Sequence, residues 1–105
     1  MVEELIIKLF MTERTAYDRF YKHLNLSYIK TNFVGLYKLF MVIHSYYEKS
    51  DKTSMSKSDL ELAYHSNYLL EDSERNELSD LLDRILDLKL TEQNVYAYLN
   101  AHKQR

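Results

Sequence analysis

The sequence predicts an all-α fold, a compact bundle of about five to six helices around a central apolar helix near residues 32–48. Three observations carry that expectation. The 105 residues hold no proline and a single glycine, Gly35, so the turn punctuation that sheets and hairpins need is missing. Leu, Glu, Lys and Tyr recur at the three- and four-residue steps of one helix face. A 46% apolar content in a chain this short supplies one core, so residues 1–105 read as a single helical domain.

Val2, Leu5, Ile6, Leu9 and Phe10 form one apolar stripe, which predicts a helix over residues 2–11 with a charged outer face. Thr12 offers an oxygen to cap a second helix over 13–24, burying Ala16, Tyr17, Phe20, Tyr21 and Leu24 while Arg14, Asp18 and Lys22 pair outward. The two make a helical hairpin. Residues 25–31 read as a connector with one turn of helix, whose Leu26, Tyr28 and Ile29 plug an end of the core.

From 32 to 48, Phe33, Val34, Leu36, Tyr37, Leu39, Phe40, Met41, Val42, Ile43, Tyr46 and Tyr47 nearly encircle the helix axis, as expected of a central helix. The remaining strip of Gly35, Lys38 and Ser45 faces water, or at Gly35 admits another backbone closely. Residues 49–58 are a polar loop around a lone Met55. Ser56 or Ser58 then caps a short helix to about residue 65, using Leu60, Leu62, Ala63 and Tyr64, and 67–70 is a second connector.

Residues 72–88 form a long acidic amphipathic helix, with Leu78, Leu81, Leu82, Ile85 and Leu86 inward and Glu77, Asp80, Asp83, Arg84 and Asp87 outward. Thr91 caps a last helix over 92–105, carrying Val95, Tyr96, Leu99 and Ala101 with no stop signal, like a helix continuing into a longer chain.

Charge divides unevenly. Residues 1–58 hold nine Lys/Arg against six acids, a net +3, and residues 59–105 hold five against ten, a net −5. No run approaches the ~18 to 20 apolar residues of a membrane span, because Lys38, His44, Glu48 and Lys49 interrupt the greasiest segment. Glu3, Glu4 and Lys8 break the first eleven residues before they can act as a secretory signal, and cysteine is absent. The expectation is a soluble, cytoplasmic protein without membrane contact.

Catalytic and cofactor chemistry is not expected. Gly35 alone cannot build a phosphate-cradling loop, which needs clustered glycines. His23, His44, His65 and His102 show no helical zinc pair, so no metal site is expected. The acidic face of Glu77, Asp80, Asp83 and Asp87 reads as a solvated surface, with Asp80–Arg84 and Glu71–Arg75 as ordinary four-residue pairs. No glycine-framed serine nucleophile occurs. Ten tyrosines with neighbouring lysines, as in Tyr21-Lys22, Tyr28-Ile29-Lys30 and Tyr37-Lys38, suit a stacking surface for single-stranded nucleic acid. Helical phase buries most of them, and a net charge of −2 leaves little direct nucleic-acid binding. The chain is expected to work by binding other macromolecules, with a stand-alone helical adaptor or a weak single-stranded nucleic-acid-binding protein as the alternatives.

The order of elements resembles the amino-terminal domain of DnaB-type replicative DNA helicases, most closely that of the T-even-type phage helicases. The likeness lies in Met1-Val2-Glu3, Leu5-Ile6-Ile7-Lys8-Leu9-Phe10, Tyr28-Ile29, and Phe33 leading into Leu36-Tyr37-Lys38-Leu39-Phe40 and Ile43. It continues in Tyr46-Tyr47-Glu48 before the polar loop and in the run from Ser56 to Leu62. Bacterial members carry a Pro-Glu-Phe or Pro-Asp-Phe turn where this chain has Leu26-Ser27-Tyr28, which sets it apart from that branch. The resemblance implies a non-catalytic scaffold whose motor domain lies elsewhere, in the host cytoplasm if phage-encoded. Its implied partners are further copies of itself in a weak dimer or ring, and a primase or helicase loader. Residues 92–105 would begin a pairing hairpin, with Val95, Tyr96, Tyr98 and Leu99 as the expected interaction surface.

Overall fold

In the computed structural model, residues 2–90, together with Ala97 and Asn100, are described. They form six α-helices: α1 (Val2–Thr12), α2 (Arg14–Phe20), α3 (Leu26–Asn32), α4 (Val34–Glu48), α5 (Lys57–Asn67) and α6 (Asp72–Asp87). A 3-10 turn, Tyr21–His23, follows α2, and no strand occurs among the described residues. The all-α bundle expected from composition is the fold observed. None of these helices is long and apolar enough to cross a membrane.

The central helix is α4, whose Leu36, Leu39, Phe40, Val42, Ile43 and Tyr47 are buried. It packs against α1, α3 and α5. Phe40 meets Phe10 of α1 edge to face at 6.0 Å, the ring geometry that places a positive edge on a negative face. Val34, expected in the apolar ring, is instead 59% exposed at the first position of α4.

Helix α1 departs from the simple amphipathic expectation. Glu3 and Glu4 are 7% and 6% exposed, so the outer face is not a solvated charged one. The helix is covered by α2, α4 and α6, and Ile7 and Met11, outside the predicted stripe, are buried. A buried carboxylate needs a partner. Glu4 accepts a 2.6 Å bond from the guanidinium of Arg84 on α6, which therefore does not form the Asp80–Arg84 pair expected from spacing. Lys8 donates its ammonium to the carbonyls of Leu86, at 2.7 Å, and Leu88, satisfying groups orphaned at the end of α6.

Thr12 does not cap the second helix. It closes α1, donating its hydroxyl to the Lys8 carbonyl at 2.8 Å, while Glu13 takes the N-cap position with no side-chain cap bond. The single turn expected over 25–31 is a two-turn helix, α3, because the Asn25 carboxamide accepts from the Tyr28 N–H at 3.1 Å and nucleates it. Of the two serine caps available to α5, Ser56 is used. Its hydroxyl accepts from the Asp59 N–H while the Asp59 carboxylate accepts from the Ser56 N–H, a reciprocal capping box. Leu62, expected to face inward, is exposed, since Leu60 and Tyr64 hold the buried side of α5.

The polar loop between α4 and α5 is pinned rather than free. Met55 is buried and its N–H donates to the Met11 carbonyl at 2.7 Å, while the Arg14 N–H donates to the Thr53 carbonyl at 2.8 Å. The Arg14 guanidinium reaches back to the carbonyls of Tyr47 (2.8 Å), Ser50 (2.5 Å) and Lys52 (3.2 Å), closing the end of α4.

Candidate interaction surface

Two places in the bundle hold side chains that do something other than fill the core. One is a polar aromatic cluster where α2 meets α4. The other is an open apolar groove where α4, α5 and α6 converge.

In the cluster, the Tyr17 hydroxyl lies 2.6 Å from Nδ1 of His44 and donates to the Glu48 carboxylate at 3.2 Å. The His44 ring stacks on Tyr21 at 4.7 Å with the planes only 7° apart. This Tyr, His and Glu grouping looks like acid-base machinery. Its electrostatics point the other way: burial, then the negative charge of Glu48, raises the ionisation of Tyr17 far above the ordinary tyrosine value. Burial likewise pushes Tyr21 and Tyr47 up to about 12. Phenols held that firmly neutral are poor nucleophiles and bases at physiological pH, and the bonds of Tyr17 to His44 and Glu48 tie α2 to α4.

The other titratable candidates stay dispersed. No group of three His, Cys, Asp or Glu among the described residues is placed to hold a metal ion. His102 lies outside those residues, as do Val95, Tyr96, Tyr98 and Leu99, the surface expected from sequence. Ala97 and Asn100, their described neighbours, are helical and exposed. Of the tyrosines named for a stacking surface, Tyr21 and Tyr37 are half-buried and Tyr28 is 37% exposed, while Tyr17, Tyr47 and Tyr64 elsewhere in the chain are buried. Lysines that flank them are engaged within the fold, with Lys30 over the ring of Tyr37 and Lys38 over that of Tyr68.

The groove has a volume of about 180 Å³ and is lined by Gly35 and Leu39 of α4, Tyr64 of α5, Leu70, and Glu74, Glu77, Leu78 and Leu81 of α6. Its floor is core: Leu39, Tyr64 and Leu78 are buried side chains whose outer atoms form the base. The rim is acidic, and among the described residues no Lys, Arg or His lines it. Enclosed small-molecule sites run to about 300 to 1,000 Å³, so this one is too small and open to sequester a cofactor. The exposed apolar residues Val34 and Leu69 adjoin two lining residues, Gly35 and Leu70, in sequence.

From sequence Gly35 either faces water or admits another backbone; it is exposed, no described residue approaches it within 4 Å of an added Cβ, and the groove itself is not legible in the sequence. The ingredients come from three helices, and Leu70 was read as connector. No family model matches the chain, and neither a curated protein nor a solved structure matches it.

Proposed function

We propose that this chain is a non-catalytic helical scaffold domain that binds protein partners. In the setting implied by its resemblance to DnaB-type amino-terminal domains, it supports ring oligomerisation of a phage replicative DNA helicase and docks a primase or loader. One observation supports the binding role above others: an apolar groove lies open at the surface while the reactive-looking polar side chains are consumed in internal bonds. An all-α bundle with a central apolar helix fits such a collar domain.

Self-association is tested by analytical ultracentrifugation from micromolar to millimolar protein. A concentration-dependent dimer that disappears in the Tyr96→Lys, Leu99→Lys double variant, with circular dichroism unchanged, supports the oligomerisation half. A strict monomer at millimolar concentration removes it and leaves a stand-alone adaptor. The helicase setting is tested separately by the coding sequence beyond Arg105: a glycine-rich phosphate loop there supports it, and a stop codon overturns it. Binding of single-stranded DNA that survives ~0.2 M salt would favour a nucleic-acid protein instead, since a few phosphate contacts fade at that ionic strength.

A further inference from the structure

Gly35 is a puzzle within its own chain. Glycine costs a helix about 0.5 to 1 kcal/mol relative to alanine and is retained where a positive φ or a close approach requires it. Gly35 has no positive φ, and it forms no cap, lying inside α4. A Cβ added there would meet nothing within 4 Å among the described residues. Neither conformation nor internal packing calls for glycine, and the space its missing side chain leaves open is the groove itself.

The groove also has a definite chemistry. Leu39, Leu70, Leu78 and Leu81 line the same groove as Glu74 and Glu77. Both glutamates are exposed, and no ion pair among the described residues engages either. Glu74 is tied only to the backbone N–H of Glu71, as part of the cap of α6. The nearest cation in sequence along α4, Lys38, is spent on Tyr68. A second copy of this chain presenting the same acidic helix would meet like charge.

We propose that this groove seats one helix of a partner protein, an amphipathic helix that crosses closely over Gly35, presses a Leu-type stripe onto Leu39, Leu70, Leu78 and Leu81, and sets Lys or Arg against Glu74 and Glu77. Helix-in-groove recognition uses anchors at three- and four-residue steps, and close crossing of two helices is helped by a residue without a side chain at the crossing point. The inference deepens the scaffold reading by naming the partner's chemistry, and it rests on that reading in taking protein binding as the chain's role.

The test uses two synthetic helical peptides of about 18 residues, or five turns, sharing one leucine stripe and carrying either lysine or glutamate on its flanks. Each is titrated into the whole protein by fluorescence anisotropy and by amide chemical-shift mapping. The lysine peptide should bind with shifts centred on Gly35, Leu39, Leu70, Glu74, Leu78 and Leu81, and the glutamate peptide should not. Gly35→Leu, whose Cβ meets nothing within 4 Å among the described residues, fills the crossing point and should weaken binding by about ten-fold or more, a 1.4 kcal/mol effect, with the melting curve as the check on folding. Glu74→Lys with Glu77→Lys should reverse the preference between peptides, with the melting curve as the check on folding.

No binding of the lysine peptide at millimolar concentration overturns the proposal, as does binding that ignores Gly35→Leu. Binding mapped to another face would discard the groove and leave the scaffold role standing. A homodimer lost on Gly35→Leu, with no peptide bound, would assign the groove to a second copy. Peptide binding that appears only when Tyr96 and Leu99 are replaced by lysine would assign it to this chain's own residues 91–105. A protein that binds neither peptide and stays monomeric at every concentration would remove the scaffold role as well.

Discussion

The Tyr47 hydroxyl donates a 2.5 Å hydrogen bond to the Phe10 carbonyl, joining the end of the central helix to the end of α1. That carbonyl belongs to the last turn of α1, where helical donors run out. Three carbonyls of that turn find different partners. Leu9 accepts from the Glu13 N–H and Met11 from the Met55 N–H, while the Arg14 N–H, the helical donor Phe10 would have used, turns away to Thr53. Phe10 is therefore served by a side chain 37 residues away in sequence.

Tyr47→Phe keeps the ring and leaves the Phe10 carbonyl buried and unpaired. A loss of ~1 to 3 kcal/mol is expected, read as a lower midpoint in urea unfolding with an unchanged slope. Unchanged stability would show that water replaces the hydroxyl and that the bond is incidental.

The Glu4–Arg84 pair is asymmetric. The carboxylate is 7% exposed in its side chain and the guanidinium 66%. Removing the arginine strands a buried charge, whereas removing a solvated one costs little. Arg84→Ala should destabilise by ~1 to 2 kcal/mol, below the cost of breaking a fully buried pair because the arginine faces water. Asp80→Ala, at the position sequence spacing had paired with Arg84, should stay within ~0.5 kcal/mol. Equal effects in urea unfolding would mean that the long-range pair contributes no more than an i,i+4 contact.

How much of this was visible in the sequence depends on the range of the interaction involved. The 3.6-residue rhythm of Leu36, Leu39, Phe40 and Ile43 located the central helix, since burial of one face leaves its period in the chain. The Ser56 cap was legible for the same local reason. Glu3 and Glu4 were misplaced because a period shows which residues share a face, and not how many neighbours cover the helix. The second cover is α6, some 80 residues downstream of Glu4. The pinned loop did leave one trace, a lone Met55 in a polar run, but its backbone partners at Met11 and Arg14 left none. The groove is a property of three helix surfaces together, and of its residues only Gly35 stood out by itself.

Tyrosine ionisation sets an alkaline limit on the fold. Tyr21 and Tyr47 titrate at about 12 in the folded chain, against about 10 unfolded, chiefly because burial penalises the phenolate. A raised folded value means stability that is complete below about pH 10 and is lost as pH rises toward about 12, with Tyr47 alone contributing ~2 kcal/mol. Phenolate absorbance followed with pH should show a late, cooperative step coincident with loss of helical circular dichroism. Smooth titration of all tyrosines near 10 with helix intact would contradict the burial argument.

Phe40 is fully buried against Phe10, so Phe40→Ala should cost ~3 to 5 kcal/mol by lost transfer energy and the cavity left behind. Lys38→Ala forfeits only a partly exposed contact with the Tyr68 ring and should stay within ~0.5 kcal/mol. Thermal melts of the two variants separate these outcomes. Comparable losses would mean that the Tyr68 connector depends on Lys38 as much as the core depends on Phe40.

Gly35→Ala separates a structural glycine from one retained for a partner. A glycine needed by its own fold, for a left-handed turn or a tight crossing, is destabilised by a methyl group. Gly35 has neither need: its φ is not positive, and a Cβ would enter open space. The substitution should therefore stabilise the isolated chain by ~0.5 kcal/mol, through the smaller entropy of the unfolded state, with the gain limited because the site lies in the first turn of α4. The same variant should bind the lysine peptide less well, since the methyl group sits where the partner backbone passes. Stability and binding then move in opposite directions, which a merely structural role for Gly35 would not produce. A loss of stability on Gly35→Ala would show that the chain itself uses the space, and would remove the reason for placing the crossing there.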